Sequence, residues 1–436
     1  MKFSVKLFIQ ILLIISLLSS CADGELFGKK TPPLPGTRVN VLHYDLMKNE
    51  NPNESKNISI PAQTVLSAWV CSDIGQFTEL AENISLGNNL KLVNNFHPKN
   101  FNPSSLDSAI LIVDNILYSY TKSTLAAYDL TKNRNLWSKE AVEGKERNDV
   151  LGGSMTYANG VIYLSSGSRD LIAFEADSGK ELWRFKAPNV VRHIALINEN
   201  KIYVNSTDNT LSCLSLDGKL LWRYDGAIYS LITSRFYSPN IVYQDKLITI
   251  TTAGDLVVLN KHDGQEITQV NLATTSIIGD GSLAKGPIAS PELINNHLYI
   301  LTGENDFIKI DLENPQILWR QNFPSAKAFW VADSTAYLLS DNNQLLAVDN
   351  SNGKTIWAID LPRKQKAKEL VQFYGPVLAG DMLILTSYNG EFFTFSPKDG
   401  KLISSYKNNF STNQMPFIVN DKAYFIGTNG SISVWQ

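Results

Sequence analysis
The chain has 436 residues, 44% hydrophobic and 19% charged, with a net charge of -3. That balance excludes a disordered, collagenous or polytopic membrane protein and leaves room for a large core. There is no strong basic run, which argues against nucleic acid as a partner.

Residues 1–6, "MKFSVK", give a short cationic start, followed by the apolar run "LFIQILLIISLL" at 7–18 and small residues at 19–21. This is the order of a secretory signal, and about a dozen apolar residues is short for a spanning helix. The predicted organisation is a signal peptide at 1–20, a tether at 21–56 and a folded domain at 57–436. The tether, "ADGELFGKKTPPLPGTRVNVLHYDLMKNENPNESK" after Cys21, is rich in Pro, Gly, Asn and charge and reads as a flexible linker. Cys71 and Cys213 complete the cysteines and are too few for a disulfide framework.

From about residue 110 one phrase repeats. Its clearest copy is "RDLIAFEADSGKELWRF", 169–185, and relatives include "NTLSCLSLDGKLLW", 209–222, and "NQLLAVDNSNGKTIW", 343–357. The turn positions from Asn133 to Gly400 cover six intervals, a mean period of about 44 residues, as four-stranded propeller blades have. Upstream of each copy lies a hairpin signal such as "ANGVIYL" or "INNHLYI". Two hairpins in series make one up-and-down blade, so the predicted fold is all-β, an eight-bladed propeller of four-stranded antiparallel blades. Only seven outer strands are complete. "NNLKLVNNF", 88–96, has the register of an outer strand and is predicted to close the last blade from the N-terminal side.

In the third strand the residue before the large one is mostly small, and Cys213 stands where siblings have Ala127, Ala173 and Ala347. Cys213 is therefore read as a packing residue. The last turn of each blade uses Gly or Asn at a left-handed position, but Pro315 cannot adopt it, so that turn is expected to differ. Trp recurs at 137, 183, 222, 319 and 357, with Thr268 and Ser404 in two blades.

These repeats resemble the tryptophan-docking repeat of quinoprotein (PQQ) propellers, and "LSSC" at 18–21 resembles the bacterial lipobox. The lipobox likeness implies a mature protein starting at an acylated Cys21. Ala22 after that cysteine implies sorting to the outer membrane rather than retention in the inner one. Together with "PPLPGTRVNVL" at 32–42, the repeats and the closure from the N-terminus, most of the mature chain is similar to the BamB family of outer-membrane assembly lipoproteins. That resemblance implies a non-enzymatic scaffold on the periplasmic side of the outer membrane. Its implied partners are the POTRA domains of a BamA-type barrel, other Bam lipoproteins and nascent outer-membrane proteins, whose strands could add to exposed blade edges. Its partner-binding loop maps onto "GAIYSLITSRFYSP", 226–239, with Leu231, Arg235 and Phe236 as candidates, although Leu231 and Phe236 also fit the core of a first strand.

No cofactor is expected. The alternative is a PQQ-dependent quinoprotein oxidoreductase, but the chain lacks the adjacent cysteines of that class. Its five histidines are scattered, and no P-loop, G-x-S-x-G or H-E-x-x-H occurs.

Overall fold
The computed structural model describes residues 57–71, 82–98, 101, 109–142, 144, 150, 152–227, 240–252, 254–272, 286–362 and 371–436. The described strands form eight antiparallel sheets. They are the eight expected blades, spanning 109–140, 154–186, 196–225, 241–271, 292–322, 326–360, 373–407 and 417–435. The first strands of neighbouring blades touch, as between blades 1 and 2 or 6 and 7, and fourth strands lie outermost.

Packing follows from one row of side chains that crosses each blade. In blade 2, Tyr163 pairs with Ala173, which pairs with Trp183. The two rings meet over the small residue, centroids 6.0 Å apart. Tyr118–Ala127–Trp137, Tyr203–Cys213–Trp222, Tyr299–Lys309–Trp319 and Tyr337–Ala347–Trp357 repeat the row. In blades 4 and 7, which lack Trp, Tyr is missing too, as Ile248–Val258–Thr268 and Ile384–Thr394–Ser404, whereas blade 8 keeps the Tyr in Tyr424–Val434–Asn94. The central residue is small because two rings must close over it; each ring contact adds roughly 1 kcal/mol beyond burial. Lys309 departs from the size rule: its Nζ lies 5.5 Å from the Tyr299 ring centroid and donates to the Asn350 carbonyl, 3.1 Å away.

Each Trp also reaches the next blade. Trp137, Trp183, Trp319 and Trp357 donate from Nε1 to the carbonyls of Ala176, Leu216, Asn350 and Pro397, at 2.9–3.1 Å. The turn glycine of that blade lies flat against the ring. A Cβ on Gly264 would fall 2.4 Å from Trp222 Cε3, and Gly264 has φ of 75°. The glycine is thus required twice, for its backbone and for its missing side chain. At Pro315 the turn differs as expected: no residue from 312 to 316 has positive φ.

Every outer strand carries a bulge, with one unpaired residue just before the Trp position. It is Leu or Ile in blades 1–7 and Val93 in blade 8. Bulges interrupt an edge ladder and turn it away from further pairing.

The ring closes as predicted. Leu92–Phe96 is the outer strand of blade 8, with Asn95 opposite Ser433 and Phe96 opposite Ile432. Lys91 and Gln436 exchange both backbone hydrogen bonds, at 2.8 and 3.0 Å. The sequence had no counterpart for the segment before it. Ala68–Trp69 adds a fifth strand to the inner edge of blade 1. Around it, Leu66 accepts from Asn420 N–H of blade 8, Val70 from Tyr157 N–H of blade 2, and Ile84 bonds to Leu378 and Gly380 of blade 7. Trp330 Nε1 of blade 6 donates to the Glu82 carbonyl at 2.9 Å. Five consecutive blades, 6 to 2, are strapped across the seam where the ring joins.

Candidate interaction surface
Of the residues singled out in the sequence, Cys21 and the tether lie outside the described residues, as do Leu231, Arg235 and Phe236. What is described is the footing of that last stretch. The fourth strand of blade 3, Leu220–Asp225, leads into it and Ile241–Tyr243 of blade 4 leads out. Asn209 fixes the exit: its Nδ2 donates to the Ala227 carbonyl at 2.9 Å and to Thr252 Oγ1 at 3.1 Å, and its Oδ1 accepts from Thr252 N–H. One side chain thus ties the stem of the segment to the neighbouring blade. Asn240, at the re-entry, is buried, and neither of its amide atoms has a hydrogen-bond partner among the described residues.

Beside this stem, blades 2 and 3 differ in their electrostatics. Three blades carry an Arg after the Trp: Arg184, Arg223 and Arg320. In two of them the Arg is an inter-blade tie. Arg184 pairs with buried Asp170 at 2.9 Å and donates to the Ala141 carbonyl of blade 1. Arg320 pairs with buried Asp306 at 3.0 Å and donates to the Leu272 carbonyl of blade 4. In blade 3 the aspartate is replaced by Thr210, directly opposite Asp225. Arg223 therefore turns out to the exposed Asp225, at 2.9 Å, leaving the blade 2–3 seam without its tie.

The other chemistry is structural. Cys213 is fully buried, and burial pushes its thiol up to about 11, which keeps it protonated and unreactive at neutral pH. Glu292, on the first strand of blade 5, accepts the Val331 N–H of blade 6 at 2.8 Å and is completely buried, which raises its carboxyl well above the ordinary 4.5. Among the described residues no three His, Cys, Asp or Glu side chains gather in a way that could hold a metal ion. The Thr210 exchange and the Glu292 link were missed in the sequence. The first was readable by aligning the repeats, since Asp170, Asp255 and Asp306 share one position with Thr210.

Comparison with known proteins agrees with this architecture. An uncharacterized protein of Rickettsia conorii is 25% identical over 345 residues, 75% of this chain and 80% of that protein. The outer membrane protein assembly factor BamB of Shewanella oneidensis is 21% identical over 320 residues, 71% of this chain and 78% of its own. The crystal structure of BamB from Moraxella catarrhalis superposes with a TM-score of 0.63 at 16% identity, covering 80% of this chain and all of that one, which shows the shared fold. The family model described as outer membrane protein assembly factor BamB matches residues 121–359, more than half of the chain. With its tryptophan-docked, N-terminally closed ring, the protein belongs to the BamB family.

Proposed function
We propose that the protein is a non-enzymatic scaffold of the outer-membrane β-barrel assembly complex, held at the periplasmic face of the outer membrane by acyl chains on Cys21. In this reading it binds the POTRA region of the BamA-type central barrel and assists delivery of outer-membrane proteins. The family match across 121–359 carries the proposal. The fold supports it: a ring braced by inter-blade Trp and Arg contacts is a rigid platform for loops. Residues 226–239, which hold Leu231, Arg235 and Phe236, are the proposed contact, with apolar anchors beside a cation that can pair with carboxylates.

The test is affinity purification of the full lipidated protein from detergent-solubilised outer membrane. A POTRA-bearing barrel should co-purify, and Leu231→Ala with Arg235→Glu should reduce its recovery at least about 10-fold. Undiminished recovery with the double variant would remove these residues from the contact. Absence of any barrel would remove the scaffold reading.

A further inference from the structure
Between the outer strands of blades 2 and 3 lies a cleft of about 260 Å³, below the size of cofactor pockets but enough for side chains of a partner. Ala187 and Ser212 form its buried floor, and Phe185 and Pro188 are half-buried in its wall. Its exposed lip is cationic, made by Arg169, Lys186 and Arg223. Arg169 spends only its Nε, on the Ala187 carbonyl at 3.1 Å. The Lys186 ammonium has no ion pair or hydrogen bond among the described residues, although its backbone pairs with Asp170. Arg223 is there because Thr210 replaced the aspartate that holds its siblings, and it meets only the exposed Asp225. With Arg184 and the two carboxylates it holds included, four cations stand against three carboxylates, a local surplus of one positive charge on a chain that is acidic overall. The carboxylates on the same strands are already engaged, Asp170 and Glu181 both by Arg184.

We propose that this cleft is a docking site for an acidic segment of a partner polypeptide, one that places a carboxylate on the Lys186–Arg169 lip and an adjoining apolar side chain against Phe185 and Leu220. A free anion would use the cations alone. The apolar wall beside them, with Leu220 50% exposed, matches a residue pair and not a phosphate. The site deepens the scaffold reading but does not depend on Leu231, Arg235 or Phe236.

The experiment titrates the full-length protein in detergent with acetyl-Ser-Glu-Phe-Glu-Ser-amide, with its Gln-for-Glu counterpart, with inorganic phosphate and with phosphatidylglycerol vesicles. The acidic peptide should bind more tightly than the Gln peptide, lose affinity as salt rises, and weaken at least about 10-fold with Arg169→Glu plus Lys186→Glu. Thr210→Asp, which should recapture Arg223 as in blades 2 and 5, should weaken binding without introducing a charge on the lip. Thermal unfolding of each variant separates these effects from loss of fold. Equal binding of the two peptides, or an unchanged double variant, would overturn the proposal. Phosphate or vesicles binding as well as the acidic peptide, with the same sensitivity to the double variant, would overturn it in favour of a simple anion or lipid headgroup site. Peptide binding that survives Leu231→Ala with Arg235→Glu keeps this site separate from the barrel contact.

Discussion

Two buried residues show how tightly the seams between blades are specified. Burial in the fold raises the Glu292 carboxyl well above the 4.5 of the unfolded chain. The folded state therefore holds its proton more strongly, so this contribution to stability is complete below pH 4.5 and falls as pH rises toward the raised folded value. Each tenfold difference in proton affinity corresponds to about 1.4 kcal/mol. Glu292→Gln keeps an acceptor for Val331 N–H and cannot ionise. Its unfolding temperature relative to the parent should rise as pH increases above 4.5, and a pH-independent difference would show that Glu292 does not titrate with folding. Gly264 makes the opposite point, that a missing side chain is specified too. Gly264→Ala must place a Cβ into Trp222 at a positive φ, and should cost about 2–4 kcal/mol in chemical denaturation. The glycine itself was legible as a turn residue in "HDGQEIT". Its second role was not, because the ring above it comes from the preceding blade, 42 residues earlier in the chain.

At the level of strands, period and turn chemistry made the eight blades readable, since alternating apolar runs and left-handed turn residues recur with little variation. The closing strand was readable for the same reason: Leu92–Phe96 has an outer-strand register and nowhere else to pair. The strap at 57–71 and 82–90 was not, because it belongs to no repeat and is held largely by backbone bonds that any sequence can make. The bulges were also silent, although each falls on the residue before the Trp position. They limit the expected addition of partner strands to blade rims, because an incoming strand would have to match an irregular edge. The closing pair offers a direct check. Asn95→Cys with Ser433→Cys should form a disulfide on oxidation, and the oxidised form should be more stable than the reduced form by up to about 5 kcal/mol, the entropy of closing a very long loop. Failure of the bond to form would contradict the register.

For the whole molecule, the candidate site was the least legible part: a contact loop is chosen by its partner and not by the packing rules that make repeats visible. The proposed anchor at Cys21 rests on a local motif and is open to a direct test. Cys21→Ala should leave the thermal transition of the folded domain unchanged while moving the protein from the membrane fraction to the soluble fraction. An unchanged membrane fraction would mean that something other than the lipid holds it. The join between Lys91 and Gln436 has a consequence in time as well as in space. A chain made from its N-terminus produces Leu92–Phe96 before any blade and its partner, Ile432–Trp435, only after blades 1–7. Until blades 1–7 have been made that strand has an unmatched edge, and no arrangement of those blades can satisfy it. Maturation is therefore gated by Ile432–Trp435: a nascent chain that has not reached them holds seven blades with every outer strand in place and an eighth that cannot form, exposed to the strand-pairing errors that slow, long-range β topologies invite.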